Sequence, residues 1–215
     1  MTSVEFASQR LIPKTGPSPA RSFHHGNLRQ ALIDAALSAP DIERLSLRQL
    51  ASGLGVTAAA AYRHFANRED LLFEVARIGF DRLKHRFEAA FDISAPPSDA
   101  PEARQRLIRL GHAYLQFADD MPALWRLMFG SQAEAYRKSE NLRDMRNSYE
   151  FLPVALMGLY QKGVITAEPD EQDALFAWSA IHGAADLRSG RVPAALMPVS
   201  DLALGITERI ILALK

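Results

Sequence analysis

The sequence predicts an all-α protein: an N-terminal three-helix unit with a helix-turn-helix, then a larger helical body, about nine helices altogether. Three observations carry this. Apolar residues recur at helical spacing along most of the 215 residues. Alternating, β-branched strand patterns bounded by turns are missing. Glycines and side chains suited to capping punctuate the helical stretches, and no repeat of solenoid period stands out.

Residues 1–22 hold Pro13, Pro17, Pro19 and four serines without sustained periodicity, so they read as a flexible arm. Arg10, Lys14 and Arg21 put positive charge on it. Residues 25–38 predict a helix with Leu28, Leu32, Ala35 and Ala36 on one stripe. Ser46, with Gln49 three residues on, makes a capping-box pattern for a short helix. Gly53 and Gly55 supply the backbone freedom to end it and turn. Thr57 then caps a second short helix over residues 58–64, whose four alanines have the best helix propensity. Asn67 caps a longer helix over 68–91, with Leu71, Leu72, Val75, Ile78, Phe80, Leu83 and Phe87 for packing. The segment 93–101 has loop composition. Five further helices fall near 102–119, 122–130, 132–162, 170–189 and 199–214, with Pro122 and Pro169 in first turns. The expected organisation is an arm (1–22), a unit at 23–70 whose helix-turn-helix is 46–65, and a body at 71–215.

Composition excludes several chemistries. With no cysteine, disulfides, thiolate catalysis and cysteine-ligated zinc are impossible. No apolar run reaches the ~18 residues of a membrane span. The N-terminal stretch is broken by Gln9, Arg10, Lys14 and prolines, unlike a signal segment, so a cytoplasmic protein is expected. Net charge is zero, but residues 1–90 carry 12 basic against 9 acidic side chains and residues 91–215 carry 13 against 16. A mildly basic head on an acidic body is the pattern to weigh. No zinc-protease motif, serine-hydrolase elbow or phosphate-cradling glycine loop occurs, so no enzyme activity is expected. No metal or cofactor is expected either: His24 and His25 are adjacent and diverge on a helix, and His182 has no second ligand at helical spacing.

A helix-turn-helix braces one helix across another so that the second enters a DNA major groove. Leu47, Leu50, Ala51, Leu54, Val56 and Phe65 would form the small core that holds the angle. Other helical hairpins share this geometry, so a protein-interaction module without ligand control stays open as an alternative, with an enzyme the remotest.

The stretch "LSLRQLASGLGVTAAAAYRHFANREDLLFEVA" resembles the DNA-binding domain of the tetracycline-repressor (TetR) family of bacterial transcription regulators, and "FHHGNLRQALIDAAL" resembles the first helix of one branch. The resemblance rests on Leu47, Leu50, Ala51, Gly55-Val56-Thr57, Tyr62, His64-Phe65, Asn67 and Asp70-Leu71-Leu72, within residues 24–77. It implies that the second short helix is the recognition helix. Thr57 and Tyr62 would then contact phosphates, Arg63 a base edge, and His64 would lie near the backbone. Ser46 and Arg48 would touch the DNA backbone from the preceding helix, and Arg68 would contact phosphate. Ala58 and Ala59 would let the helix lie close in the groove and meet thymine methyl groups.

In the body, Tyr114, Phe117, Met121, Trp125, Met128 and Phe129 collect within residues 112–129. Such a cluster is either the lining of an apolar pocket or ordinary core. Phe151 on the next long helix is equally ambiguous. "AWSAIHGAADL" resembles the Trp–three residues–His-Gly signature of a C-terminal domain in one TetR branch, here Trp178, His182 and Gly183. With Trp178 and His182 added, these residues form the candidate ligand set. The last helix places Val199, Leu202, Ile206, Ile210 and Leu214 on one stripe, with Leu204, Ile211 and Leu212 elsewhere. An all-round apolar helix is buried on both sides. Helices 170–189 and 199–214 are therefore the expected homodimer interface. The expectation is a homodimeric, ligand-responsive repressor on a palindromic double-stranded DNA operator, with a small-molecule effector and no membrane partner.

Overall fold

The computed structural model describes residues 27–130, 148–190 and 197–214. The arm at 1–22 and the first part of the expected 132–162 helix lie outside them. The described elements are α1 (Leu28–Leu37), a one-turn 3-10 helix (Ile42–Arg44), α2 (Leu47–Gly53), α3 (Ala58–Tyr62), α4 (Arg68–Ala90), α5 (Ala100–Asp120), α6 (Pro122–Phe129), α7 (Phe151–Gln161), α8 (Glu171–Gly190) and α9 (Val199–Ala213). No strand occurs among the described residues, and no helix there is long and apolar enough to cross a membrane.

Local chemistry sets the boundaries. At the start of α2 the capping box is closed: Gln49 N–H donates to Ser46 Oγ (3.2 Å) and Ser46 N–H to Gln49 Oε1 (3.1 Å). The helix ends in a paired C-terminal motif, Gly55 N–H to the Ser52 carbonyl (3.0 Å) and Val56 N–H to the Ala51 carbonyl (2.9 Å). That motif holds Gly55 at φ 71°, in the left-handed region. Nothing lies within 4 Å of a Cβ built there, so the demand for glycine is purely conformational. Gly55→Ala should cost about 1–2 kcal/mol of stability, read as a lowered unfolding midpoint in urea. An unchanged midpoint would refute the assignment.

Thr57 Oγ1 accepts from Ala60 N–H (3.2 Å) and Asn67 Oδ1 from Asp70 N–H (2.7 Å), so both expected caps are formed. Helix α5 starts two residues before the expected position, because the Asp99 carboxylate caps it (2.8 Å from Glu102 N) and Pro101 fits the first turn. Pro169, by contrast, precedes its helix. The Asp170 carboxylate accepts from the N–H groups of Gln172 (2.8 Å) and Asp173 (3.0 Å) and fixes the start of α8 at Glu171.

The body is built around α5, against which α4, α7, α8 and α9 all pack. Helix α4 serves both units, so the expected division at residue 70 falls inside it. Its Leu71, Leu72 and Val75 are buried with the head, and Phe80, Leu83 and Phe87 with the body. Arg29 of α1 reaches α4, with its guanidinium 5.2 Å from the Phe65 ring and 3.4 Å from Glu74. The Arg77 hydrogen bond first, then the charges of Arg77 and Arg29, hold the Glu74 carboxyl below the usual carboxylate range against the opposing effect of its burial.

Helix α9 divides the expected stripe between its own core and a partly covered flank. The structure buries Ala203, Thr207, Ile210 and Ile211, whereas Val199, Leu202, Ile206 and Leu214 are only partly covered. The reason is steric. Near Thr207, α9 passes α5 at Gly111, where a Cβ would lie 3.5 Å from Thr207 Oγ1, so small side chains win the contact. Leu204 and Leu212 face outward, as do Leu175, Phe176 and Leu187 on α8.

Candidate nucleic-acid interface and cavity

The helix-turn-helix presents a small outward face. Leu47, Leu50, Ala51 and Phe65 are buried beneath it. The four alanines divide: Ala60 and Ala61 belong to this core, while Ala59 is exposed and Ala58 half-buried. Half of the methyl-rich run is therefore packing. Tyr62 is 44% exposed, which removes it from the core, and it is the last residue of α3, with Arg63 as the C-cap. Arg63 and Arg48 are exposed and make no ion pair with any described residue. His64 is half-buried. Thr57 uses Oγ1 as an acceptor in its cap, and its hydroxyl proton remains available to donate outward.

Ser46 and Arg68 differ from the expectation. The Ser46 hydroxyl accepts from Gln49 N–H and donates to Gln49 Oε1 (3.0 Å), so no proton is left for a phosphate. Its role is to cap. Arg68 donates through Nε to the Leu45 carbonyl (2.8 Å) and through a terminal nitrogen to the Glu43 carbonyl. The guanidinium thus ties the first turn of α4 to the 3-10 turn and to the residue preceding the α2 cap. Position alone suggested a phosphate contact; in the fold two of the guanidinium nitrogens are engaged with these carbonyls.

A cavity of about 260 Å³ lies in the body between α4, α5, α8 and α9. Its aromatic wall consists of Phe80, Phe87, Tyr114, Phe129, Tyr149 and Trp178. Of the candidate ligand residues, Tyr114, Phe129 and Trp178 line it. His182 stands directly behind, its Nδ1 2.8 Å from the Tyr114 hydroxyl, which also accepts from Trp178 Nε1–H (3.0 Å). Burial pushes the Tyr114 phenol well up, partly offset by the Trp178 hydrogen bond, so it stays neutral.

The remaining candidates lie away from the cavity. Phe117, Trp125, Met128 and Phe151 are fully packed core residues that do not line the cavity, and Met121 lies at the junction of α5 and α6. Aromatic content could not separate the two groups, because core and cavity wall draw on the same residue types. The lining that was missed includes Phe80, Leu83 and Phe87 on α4 and Thr207 on α9. The i, i+7 pair Phe80/Phe87 was a visible signal; the part played by Thr207 depends on a neighbouring helix. Among the described residues no group of three or more metal-ligating side chains comes together.

Comparison with known proteins bears on both units. The family model described as "Bacterial regulatory proteins, tetR family" matches residues 32–75, and that described as "Tetracyclin repressor-like, C-terminal domain" matches residues 107–199. The HTH-type transcriptional regulator BetI of Rhizobium meliloti (strain 1021) is 32% identical over 135 residues, 61% of this chain and 60% of BetI. The chain thus spans about 60% of the length of that curated relative. A structure of a protein of unknown function from Rhodococcus sp. RHA1 is similar at 31% identity and TM-score 0.73, covering 90% of this chain and 98% of that one. The TetR family regulator PfmR from Thermus thermophilus shares the fold at 20% identity and TM-score 0.64, over 86% of this chain and 99% of that one.

Proposed function

Because the chain belongs to the TetR family of DNA-binding transcription regulators, we propose that it acts as a homodimeric repressor whose grip on a palindromic operator is released by a small molecule bound in the body cavity. It works in a bacterial cytoplasm and is a regulator rather than an enzyme. The contacts to DNA are assigned to Arg63 at a base edge, Tyr62, Thr57 and Arg48 at phosphates, and Ala58 and Ala59 at the groove surface, with His64 alongside. The face formed by Leu175, Phe176 and Leu187 of α8 and by Leu204 and Leu212 of α9 meets its counterpart on a second copy. A two-fold dimer sets two recognition helices about 34 Å apart or a multiple of that, one DNA turn per step.

The observation that carries the ligand-responsive part is the short path from cavity to head. Phe129 is a cavity wall, and the next residue, Gly130, abuts the 3-10 turn, with Glu43 Oε1 3.2 Å from where its Cβ would be. The Glu43 carbonyl in turn receives Arg68, which also holds Leu45, next to the α2 cap. A ligand that displaces Phe129 presses on the turn that sets the angle of α2. It must bind the released conformer better than the DNA-competent one, and DNA must weaken ligand binding by the same factor.

A gel shift on DNA upstream of the protein's own gene tests the reading, with affinity expected to fall as salt rises. Arg63→Ala should lose about 1–3 kcal/mol of discrimination at its base position, with the fold unchanged by circular dichroism. Retained affinity and retained base preference in that variant would withdraw the assignment of Arg63.

A further inference from the structure

We propose that the cavity receives an uncharged, compact lipophile bearing a single hydroxyl or carbonyl group, and that the Thr207 hydroxyl is the group that reads it. This rests on the reading of the body as an effector-binding unit. Three observations lead there.

Size comes first. A dry cavity of about 150 Å³ accommodates benzene, so the ~260 Å³ here suits a molecule of about ten to twelve non-hydrogen atoms. Charge comes second. Among the described residues the lining contains no Asp, Glu, Lys or Arg. A carboxylate or ammonium group would enter without a counter-charge from the described lining, and burial of an unpaired ion is strongly unfavourable. The aromatic wall offers a quaternary ammonium some cation–π attraction, but the described lining supplies no carboxylate to accompany it.

The third observation is Thr207. It is 2% exposed, lines the cavity, and makes no hydrogen bond to any described residue. Buried hydroxyls are ordinarily paired, and a threonine within a helix often bonds back to a carbonyl one turn earlier. Among the other polar groups of the described lining, Tyr114 is engaged with Trp178 and His182, Ser148 has a partner of its own, and Tyr149 is only half-buried, so Thr207 is the fully buried hydroxyl left without a hydrogen bond to a described residue. Thr207 is therefore the polar group for a ligand to satisfy, and as a hydroxyl it can donate to a carbonyl or accept from an alcohol. Gly111 keeps the approach open. A methyl there would sit 3.4 Å from Ile181 Cδ1 and 3.5 Å from Thr207 Oγ1, in ordinary contact, so Gly111→Ala should fold while narrowing the path.

The test is direct calorimetric binding of four probes to the full chain: naphthalene, 2-naphthol, 2-naphthoate and phenyltrimethylammonium. 2-Naphthol should bind about fivefold more tightly than naphthalene, the worth of one net hydrogen bond. The anion and the cation should each bind at least about a hundredfold more weakly than 2-naphthol. In Thr207→Val, a close match in shape, the advantage of 2-naphthol over naphthalene should vanish while naphthalene still binds and the melting temperature does not fall. Gly111→Ala should weaken both neutral probes.

The proposal is overturned if either charged probe matches 2-naphthol, if the 2-naphthol advantage survives Thr207→Val, or if no probe binds at millimolar concentration. Operator affinity measured alongside separates the two readings. Binding with these preferences but no change in operator affinity keeps this inference and removes the ligand-responsive repressor. Release of DNA by a charged compound, without binding of the neutral probes, does the reverse.

Discussion

A Phe176→Glu, Leu212→Glu double variant should be a folded monomer whose affinity for a palindromic operator is about 10²–10⁴-fold below that of the wild type. The size of the effect comes from linkage of two half-site contacts: once one recognition helix is seated, a dimer binds the second at high effective concentration, and a monomer cannot. The two side chains are 48% and 62% exposed in the single chain, so charging them should leave the core untouched. Facing each other across a dimer, however, the carboxylates would be desolvated and repelled. Light scattering checks the mass, a melting curve checks the fold, and a gel shift on one and two half-sites checks the linkage. A variant that stays dimeric would move the interface away from α8 and α9.

The second large effect is expected from Asp119→Ala, which should destabilise the protein by about 3–5 kcal/mol. Asp119 at the end of α5 pairs with Arg188 of α8 through Nε (3.1 Å) and a terminal nitrogen (2.5 Å), with side chains only 18% and 7% exposed. Arg188 also donates to the Met197 carbonyl (2.7 Å), so the fork ties α8 to α5 and to the residues just before α9. Removing the acid strands a buried guanidinium with one neutral acceptor. The pair's net worth is a separate matter. Asp119→Leu combined with Arg188→Met should recover most of the loss, because two buried charges and their desolvation disappear together. Urea unfolding of the three proteins separates these cases. A loss below about 1 kcal/mol for Asp119→Ala would show that water reaches the pair.

The head was far more legible than the body. Its elements are defined by residues close in sequence: Ser46 with Gln49, Thr57 with Ala60, Asn67 with Asp70, and Gly55 with the carbonyls just before it. Capping and left-handed turns are chemistry within a few residues, so pattern reading reaches them. Arg68 escaped it because its acceptors, Glu43 and Leu45, lie more than twenty positions away. The alanine run was legible as helix but not as a surface, since only the packing of α3 decides that Ala60 and Ala61 turn inward while Ala59 does not.

In the body the sequence identified which residue types would matter but not their assignment. Tyr114 and Trp125 sit eleven residues apart in one aromatic-rich stretch, their rings 5.0 Å apart, yet one lines the cavity and the other is sealed in core. Periodicity reports how apolar a helix face is, not whether a neighbour fills the space in front of it. That is why the sequence shows α9 as apolar on most sides but not which side its own chain covers. From the sequence alone came the all-α class, the head with its caps and turn, the family, and the exclusion of thiol chemistry. Tertiary structure alone decided which aromatics enclose empty volume, which arginine bonds to distant carbonyls and which makes no ion pair with a described residue, and that Thr207 meets a cavity rather than a described carbonyl. The physical reason is range: caps and turns are settled within one helical turn, whereas a cavity exists only where side chains from several helices fail to meet.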